Sequence, residues 1–329
     1  MFLHILSFVG ALGIFLYGMK IMSEGLEKTA GDRLRGVLSS MTSNRFAGVL
    51  TGMGVTAVIQ SSSATTVMVV SFVNAGLMTL RQAIGVIMGA NIGTTITAWI
   101  VAFIGFKMDI AALSLPLMAV AAPLLFMGKG KWKNLGECII GFALLFMGLN
   151  LLSEAAEAME IGKHMGEWLT HIDVNAWWAI PLFLFAGMIL TMAMQSSSAS
   201  MAITLMLFDM NIPGFGLAQA AALAMGQNIG TTITALLASF AGNNQAKRAA
   251  VAHTLFNVFG VIIILCIFPL SIKATVELDK VIFGDSSNNM YLLSIFHTCF
   301  NLFNTMVMIG FVPLIEKLIC RLVPEKGEK

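Results

Sequence analysis

The chain has 329 residues, of which 57% are hydrophobic and 11% charged, with mean hydropathy +0.86 and a formal net charge of +2. An ordinary soluble domain is roughly 45–50% apolar and about 25% charged. So little charge excludes a solvated globular surface, a disordered chain and a nucleic-acid binder. Long continuous apolar runs exclude a β-barrel of short alternating segments, which leaves an all-α polytopic membrane protein.

A bilayer core of about 30 Å calls for about 20 helical residues. Runs near that length fall at 2–22, 80–106, 109–127, 134–152, 215–242, 249–270 and 291–315. The first lacks the basic flank and small-residue cleavage site of a signal peptide and is expected to be retained. Residues 23–45 put Leu26, Ala30, Leu34, Val37 and Met41 at helical spacing opposite Lys28, Arg33 and Arg35, which predicts an interfacial helix. The apolar regions 46–78 and 176–212 are each interrupted by Gln-Ser-Ser-Ser. The arms 46–59 and 64–78 are too short to span, so a re-entrant hairpin is expected there. The second region is read the same way, although 176–194 alone is long enough to cross.

The chain repeats itself. GANIGTTITA at 89–98 recurs as GQNIGTTITA at 226–235, and Gln60-Ser61-Ser62-Ser63-Ala64 recurs as Gln195-Ser196-Ser197-Ser198-Ala199. Gly18 with Ser23-Glu24 is echoed by Gly148 with Ser153-Glu154. These echoes keep chain order and imply an internal duplication, organised as a first repeat over 1–127, a second over 128–270, and an extra transmembrane helix with a tail over 271–329. Short-loop basic residues (Lys28, Arg33, Arg35 and Arg45; Lys129, Lys131 and Lys133; Lys247 and Arg248; Lys317, Arg321, Lys326 and Lys329) all fall on the cytoplasmic side if the N-terminus is outside and each half crosses three times. An odd number of crossings per half inverts the second repeat, the plan of many secondary transporters.

Polar groups in hydrocarbon are costly, so intramembrane clusters of them are candidate sites. Glycine at Gly93 and Gly230 predicts that each Asn-Ile-Gly-Thr-Thr segment is a broken helix. An unwound turn offers carbonyls to a hard cation, and the following half-helix offers N–H groups to an anion. A lone Ser-Ser-Ser would be read as helix packing; its recurrence beside a second repeated polar motif points to a site. No charged residue is expected at mid-membrane: Lys20, Arg81, Asp109, Glu137 and Asp209 fall near segment ends. That favours sodium over protons as a coupling ion, with sodium rather than Lys or Arg screening an anion. His253 with Asn257 and His297 with Asn301 form a further pair at i and i+4, read as interhelical hydrogen bonds. Cys138, Cys266, Cys299 and Cys320 form no CxxC pair, and no transition-metal site is expected. No GxSxG or Ser-x-x-Lys accompanies the serines, so an enzyme is not expected.

The paired Gln-Ser-Ser-Ser motifs, each followed by Gly-x-Asn-Ile-Gly-Thr-Thr, resemble the sodium/phosphate cotransporter family across roughly residues 13–311. The resemblance implies sodium-coupled import of inorganic phosphate through the inner (plasma) membrane of a bacterium, with no cofactor beyond the coupling ions, and is compatible with a homodimer. It makes Gln60, Ser61, Ser62, Ser63, Gln195, Ser196, Ser197 and Ser198 the candidate phosphate and sodium ligands. Asn91, Thr94, Thr95, Asn228, Thr231 and Thr232 become candidate supporting ligands. The family's His-x-x-Phe-Asn element is absent from 109–127. The same machinery carrying sulfate or a carboxylate, or serving phosphate signalling, is the alternative reading.

Overall fold

The computed structural model describes residues 2–40, 44–104, 110–174 and 176–325. Among them there are fourteen α-helices and no strand: α1 (Phe2–Ser40), α2 (Arg45–Ile59), α3 (Ser62–Asn74), α4 (Leu80–Ile104), α5 (Ile110–Phe126), α6 (Lys131–Ala158), α7 (Ile161–Thr170), α8 (Ala179–Met194), α9 (Ser197–Asp209), α10 (Leu217–Ser239), α11 (Asn244–Cys266), α12 (Phe268–Phe283), α13 (Asn289–Met308) and α14 (Val312–Leu322). Five stretches of helix among the described residues are long and apolar enough to cross a membrane: Phe2–Ala30, Leu80–Ile104, Lys131–Ala158, Asn244–Cys266 and Asn289–Leu322. The chain is a multi-pass membrane protein.

Two expectations are corrected. The expected interfacial helix over 23–45 is, over its described part, a continuation of α1, which runs unbroken for 39 residues, about 58 Å. No proline interrupts it, and Gly25 lies against α6, where a Cβ would come 2.6 Å from the Cys138 backbone nitrogen. The expected broken helices are intact, since α4 and α10 run straight through Gly93 and Gly230. These glycines serve close packing instead. A Cβ on Gly93 would sit 2.7 Å from the Met53 carbonyl of α2, and one on Gly230 would sit 2.5 Å from the Met188 carbonyl of α8. One turn earlier the approach is tighter still, at 1.9 Å from Val49 O for Gly89 and 1.8 Å from Leu184 O for Gly226. The repeated glycines thus build two matching helix pairs, α2 on α4 and α8 on α10.

The outer ends of α2 and α3 lie at one end of the molecule. Gly85, early in α4, packs on the Arg45 carbonyl, and Asn74 Oδ1 accepts from the Asn243 N–H ahead of α11. The same end holds α14, through Arg81 Nε donating to Glu316 at 2.9 Å, and the segment beyond it, through Arg248 Nε donating to Val323 O at 2.9 Å. The outer ends of α8 and α9 gather elsewhere. Gln219 Nε2 in α10 donates to Val174 O, and Asn289 Nδ2, at the start of α13, donates to Phe208 O. Tyr291 of α13 in turn packs with Phe103, at the far end of α4 from Arg81. α12, unforeseen because 271–289 carries Lys273, Glu277, Asp279 and Lys280, packs beside α13 with Thr275 and Asp279 buried.

Candidate functional site

The two Gln-Ser-Ser-Ser segments fold alike because the same residues end one helix and start the next. Gln60 caps α2 in the left-handed conformation (φ 59°, ψ 27°) and Gln195 caps α8 likewise (φ 52°, ψ 24°), each N–H donating to a threonine carbonyl one turn back. A non-glycine residue there is strained, by about 1 kcal/mol or more. Ser61 and Ser196 then take extended conformations as N-caps, a position serine favours, each hydroxyl accepting from the N–H three residues on (3.2 Å from Ala64, 3.3 Å from Ala199).

The first N–H groups of a helix have no intrahelical acceptor, and the macrodipole makes that end electropositive. Here two such ends meet. Gln60 to Ser63 and Gln195 to Ser198 all line one cavity of about 410 Å³. The turns are joined by Thr97 of α4, whose Oγ1 donates to Gln60 Oε1 at 2.9 Å and lies 3.4 Å from the donating Ser198 Oγ. Inside the first pair of arms, Thr56 Oγ1 donates to Thr65 Oγ1 at 3.0 Å. In the second pair, Gln227 reaches from α10 to donate to Thr204 Oγ1 at 2.7 Å and Ser200 O at 3.1 Å. Gln227 stands where the first copy of the ten-residue motif has Ala90.

The other six predicted residues stand off the cavity wall. Thr94, Thr95, Thr231 and Thr232 turn their hydroxyls back onto carbonyls of their own helices. Asn91 Nδ2 donates to Asn257 Oδ1 on α11, and Asn228 Nδ2 donates to Asn301 Oδ1 on α13, both at 2.7 Å. Asn257 and Asn301 each donate in turn to the carbonyl of the histidine four residues back, at 2.9 Å. The two His/Asn elements therefore serve the two Asn-Ile-Gly-Thr-Thr motifs one each.

Sequence reasoning missed the part of the cavity lining contributed by α1. Lys20, Ser23, Glu24 and Glu27 line the cavity at i, i+3, i+4 and i+7, one helix face. Lys20, expected near a segment end, lines the same cavity as both serine turns. The signal was there in the repeated Ser-Glu pair. Thr97 was equally visible, recurring as Thr234 in the duplicated motif.

A polar pocket lined by two helix termini and by charged residues of α1, inside a multi-pass helical protein, fits the class of membrane transport proteins. A family model described as Na+/Pi-cotransporter matches residues 14–154 and 156–284, and the chain belongs to that family. It is 33% identical over 264 residues to the uncharacterized protein YqeW of Bacillus subtilis, covering 80% of this chain and 82% of that protein. It is 31% identical over 265 residues to the putative inorganic phosphate export protein YjbB of Escherichia coli K12, spanning 46% of that protein's length. Over 102 residues, 30% of the chain and 15% of the relative, it is 41% identical to the human sodium-dependent phosphate transport protein 2B. No solved structure matches the chain.

Proposed function

We propose that the chain is a secondary active transporter that imports inorganic phosphate together with sodium across a bacterial plasma membrane. The observation that carries this reading is the meeting of the two Gln-Ser-Ser-Ser turns at one cavity. Two helix N-termini and six serine hydroxyls suit an oxyanion, while the Gln60 and Gln195 amide oxygens and the hydroxyl lone pairs suit a hard cation beside it. Gln60 to Ser63 and Gln195 to Ser198 are the proposed direct ligands. Asn91, Thr94, Thr95, Asn228, Thr231 and Thr232 support them from α4 and α10.

The arms α2–α3 and α8–α9 act as re-entrant hairpins entering from opposite faces. Each arm is at most 16 residues long, too short for a bilayer core of about 30 Å. The repeats are thereby inverted, with the N-terminus outside and the C-terminal segment cytoplasmic. Export is the second reading, favoured by the printed name of the YjbB relatives.

The test is transport by the purified chain in proteoliposomes. Import coupled to sodium requires radiolabelled phosphate to accumulate under an inward sodium gradient and not under an equal potassium gradient. Accumulation indifferent to sodium sinks the coupling, and sodium-driven loss from loaded vesicles alone makes the chain an exporter. Competition by sulfate and carboxylates separates phosphate from the other anions.

A further inference from the structure

We propose that Lys20 contacts the transported anion and sets the affinity and charge preference of the pocket, with Glu24 as the counter-ion that the anion displaces. The proposal rests on the transport reading above.

Three observations carry it. The residues contributed by α1 lie on one helix face and line the same cavity as both serine turns, and among the described residues lining that cavity Lys20 is the cation. Its side chain is 70% exposed, and its Nζ stands 3.9 Å from Glu24 Oε1, a long contact on a flexible stem. The other oxygen of Glu24 lies 3.8 Å from Lys28 Nζ, which already donates to Glu137 Oε2 at 2.7 Å. Glu24 is thus shared between two lysines, and its hold on Lys20 is the weaker end of a ladder that runs from the cavity to α6.

The chemistry follows. The serine turns offer neutral donors and helix-end dipoles, which orient an oxyanion but supply less than a full positive charge. A lysine ammonium is a compact charge with three rotatable donors, able to exchange a carboxylate partner for a phosphate oxygen. When it does so, Glu24 keeps Lys28 as a partner, so no carboxylate is stranded. Glu24 therefore competes with the anion for Lys20. This predicts opposite effects for the two members of one ion pair, whereas a ladder serving structure alone predicts the same loss from either.

The experiment compares the full chain with Lys20→Gln, Lys20→Arg and Glu24→Gln in proteoliposomes, reading KM and maximal rate for radiolabelled inorganic phosphate at saturating sodium. Lys20→Gln should raise KM roughly fivefold, the worth of a partly solvated ion pair, with the maximal rate less affected. Lys20→Arg should stay within about twofold of the parent, since the charge is retained, and Glu24→Gln should lower KM. Raising ionic strength should shrink the difference between parent and Lys20→Gln. An unchanged KM in Lys20→Gln, or a KM raised alike by Lys20→Gln and Glu24→Gln, overturns the role of Lys20 while leaving phosphate transport standing. A parent chain that carries no phosphate overturns the transport reading itself.

Discussion

Thr97 offers the sharpest probe of how the two halves are joined, because one hydroxyl touches both serine turns. In Thr97→Val the volume is kept and the hydroxyl lost, removing a donor from Gln60 Oε1 at 2.9 Å and an acceptor from Ser198 Oγ at 3.4 Å. A neutral buried hydrogen bond contributes about 1 kcal/mol, and side-chain pairs in membrane proteins average about 0.6 kcal/mol. The first bond is short and the second near the geometric limit, so the pair together should be worth about 1–1.5 kcal/mol. Gln60 lines the cavity and can turn to water there, which keeps the loss at this level. If the paired turns form the site, that energy appears as up to about a tenfold fall in the specificity of phosphate uptake, with a modest fall in detergent thermostability. Thr97→Ser retains the hydroxyl and should restore most of both. Uptake in Thr97→Val equal to the parent, or Thr97→Ser impaired as deeply as Thr97→Val, would refute the bridge.

Gln195→Gly should leave thermal stability within about 1 kcal/mol of the parent, because glycine accepts the left-handed conformation without strain, yet abolish sodium-dependent uptake; preserved uptake would remove Gln195 from the ligands. Asn257→Ala and Asn301→Ala should each destabilise by about 1–3 kcal/mol, since the buried amides of Asn91 and Asn228 lose their acceptors. Double-mutant cycles with Asn91→Ala and Asn228→Ala should show coupling within each pair and none across pairs. Gly89→Ala should cost about 1–3 kcal/mol or more, because its Cβ would meet the Val49 carbonyl at 1.9 Å and α2 must move away; chemical denaturation of the purified variant checks this. Arg81→Ala should cost under about 1 kcal/mol despite a 2.6 Å contact to Glu316, because the guanidinium is 57% exposed and solvent screens the pair.

Much of the helix layout was legible from hydropathy alone. The run at 80–106 contains α4, and that at 134–152 lies within α6. The interruptions at Gln60 and Gln195 were legible too, as polar breaks in apolar runs, whereas the left-handed glutamines and capping serines that make the turns were seen only in the structure. The two broken helices were misread for a local reason. A glycine licenses both an unwound turn and an intact helix in tight contact, and only the backbone of α2 or α8 lying against Gly93 or Gly230 selects the second. The continuity of α1 and the existence of α12 escaped for the converse reason. Charged residues mark where a helix leaves the apolar layer and say little about where its hydrogen bonding stops.

By itself the sequence determined that this is a membrane protein, that its polar chemistry is duplicated, and that each copy places a Gln-Ser-Ser-Ser interruption between two apolar arms. Periodicity, capping and hydropathy act over a few neighbouring residues, and each of these features is of that range. Which polar groups meet was decided by packing. Thr97 reaches Gln60 and Ser198 across 37 and 101 positions of chain, and Asn91 finds Asn257 across 166. Close contact between helices, permitted by the repeated glycines, fixes those distances. The same packing turns a polar face of α1 that hydropathy had assigned to a segment end into the charged wall of the cavity.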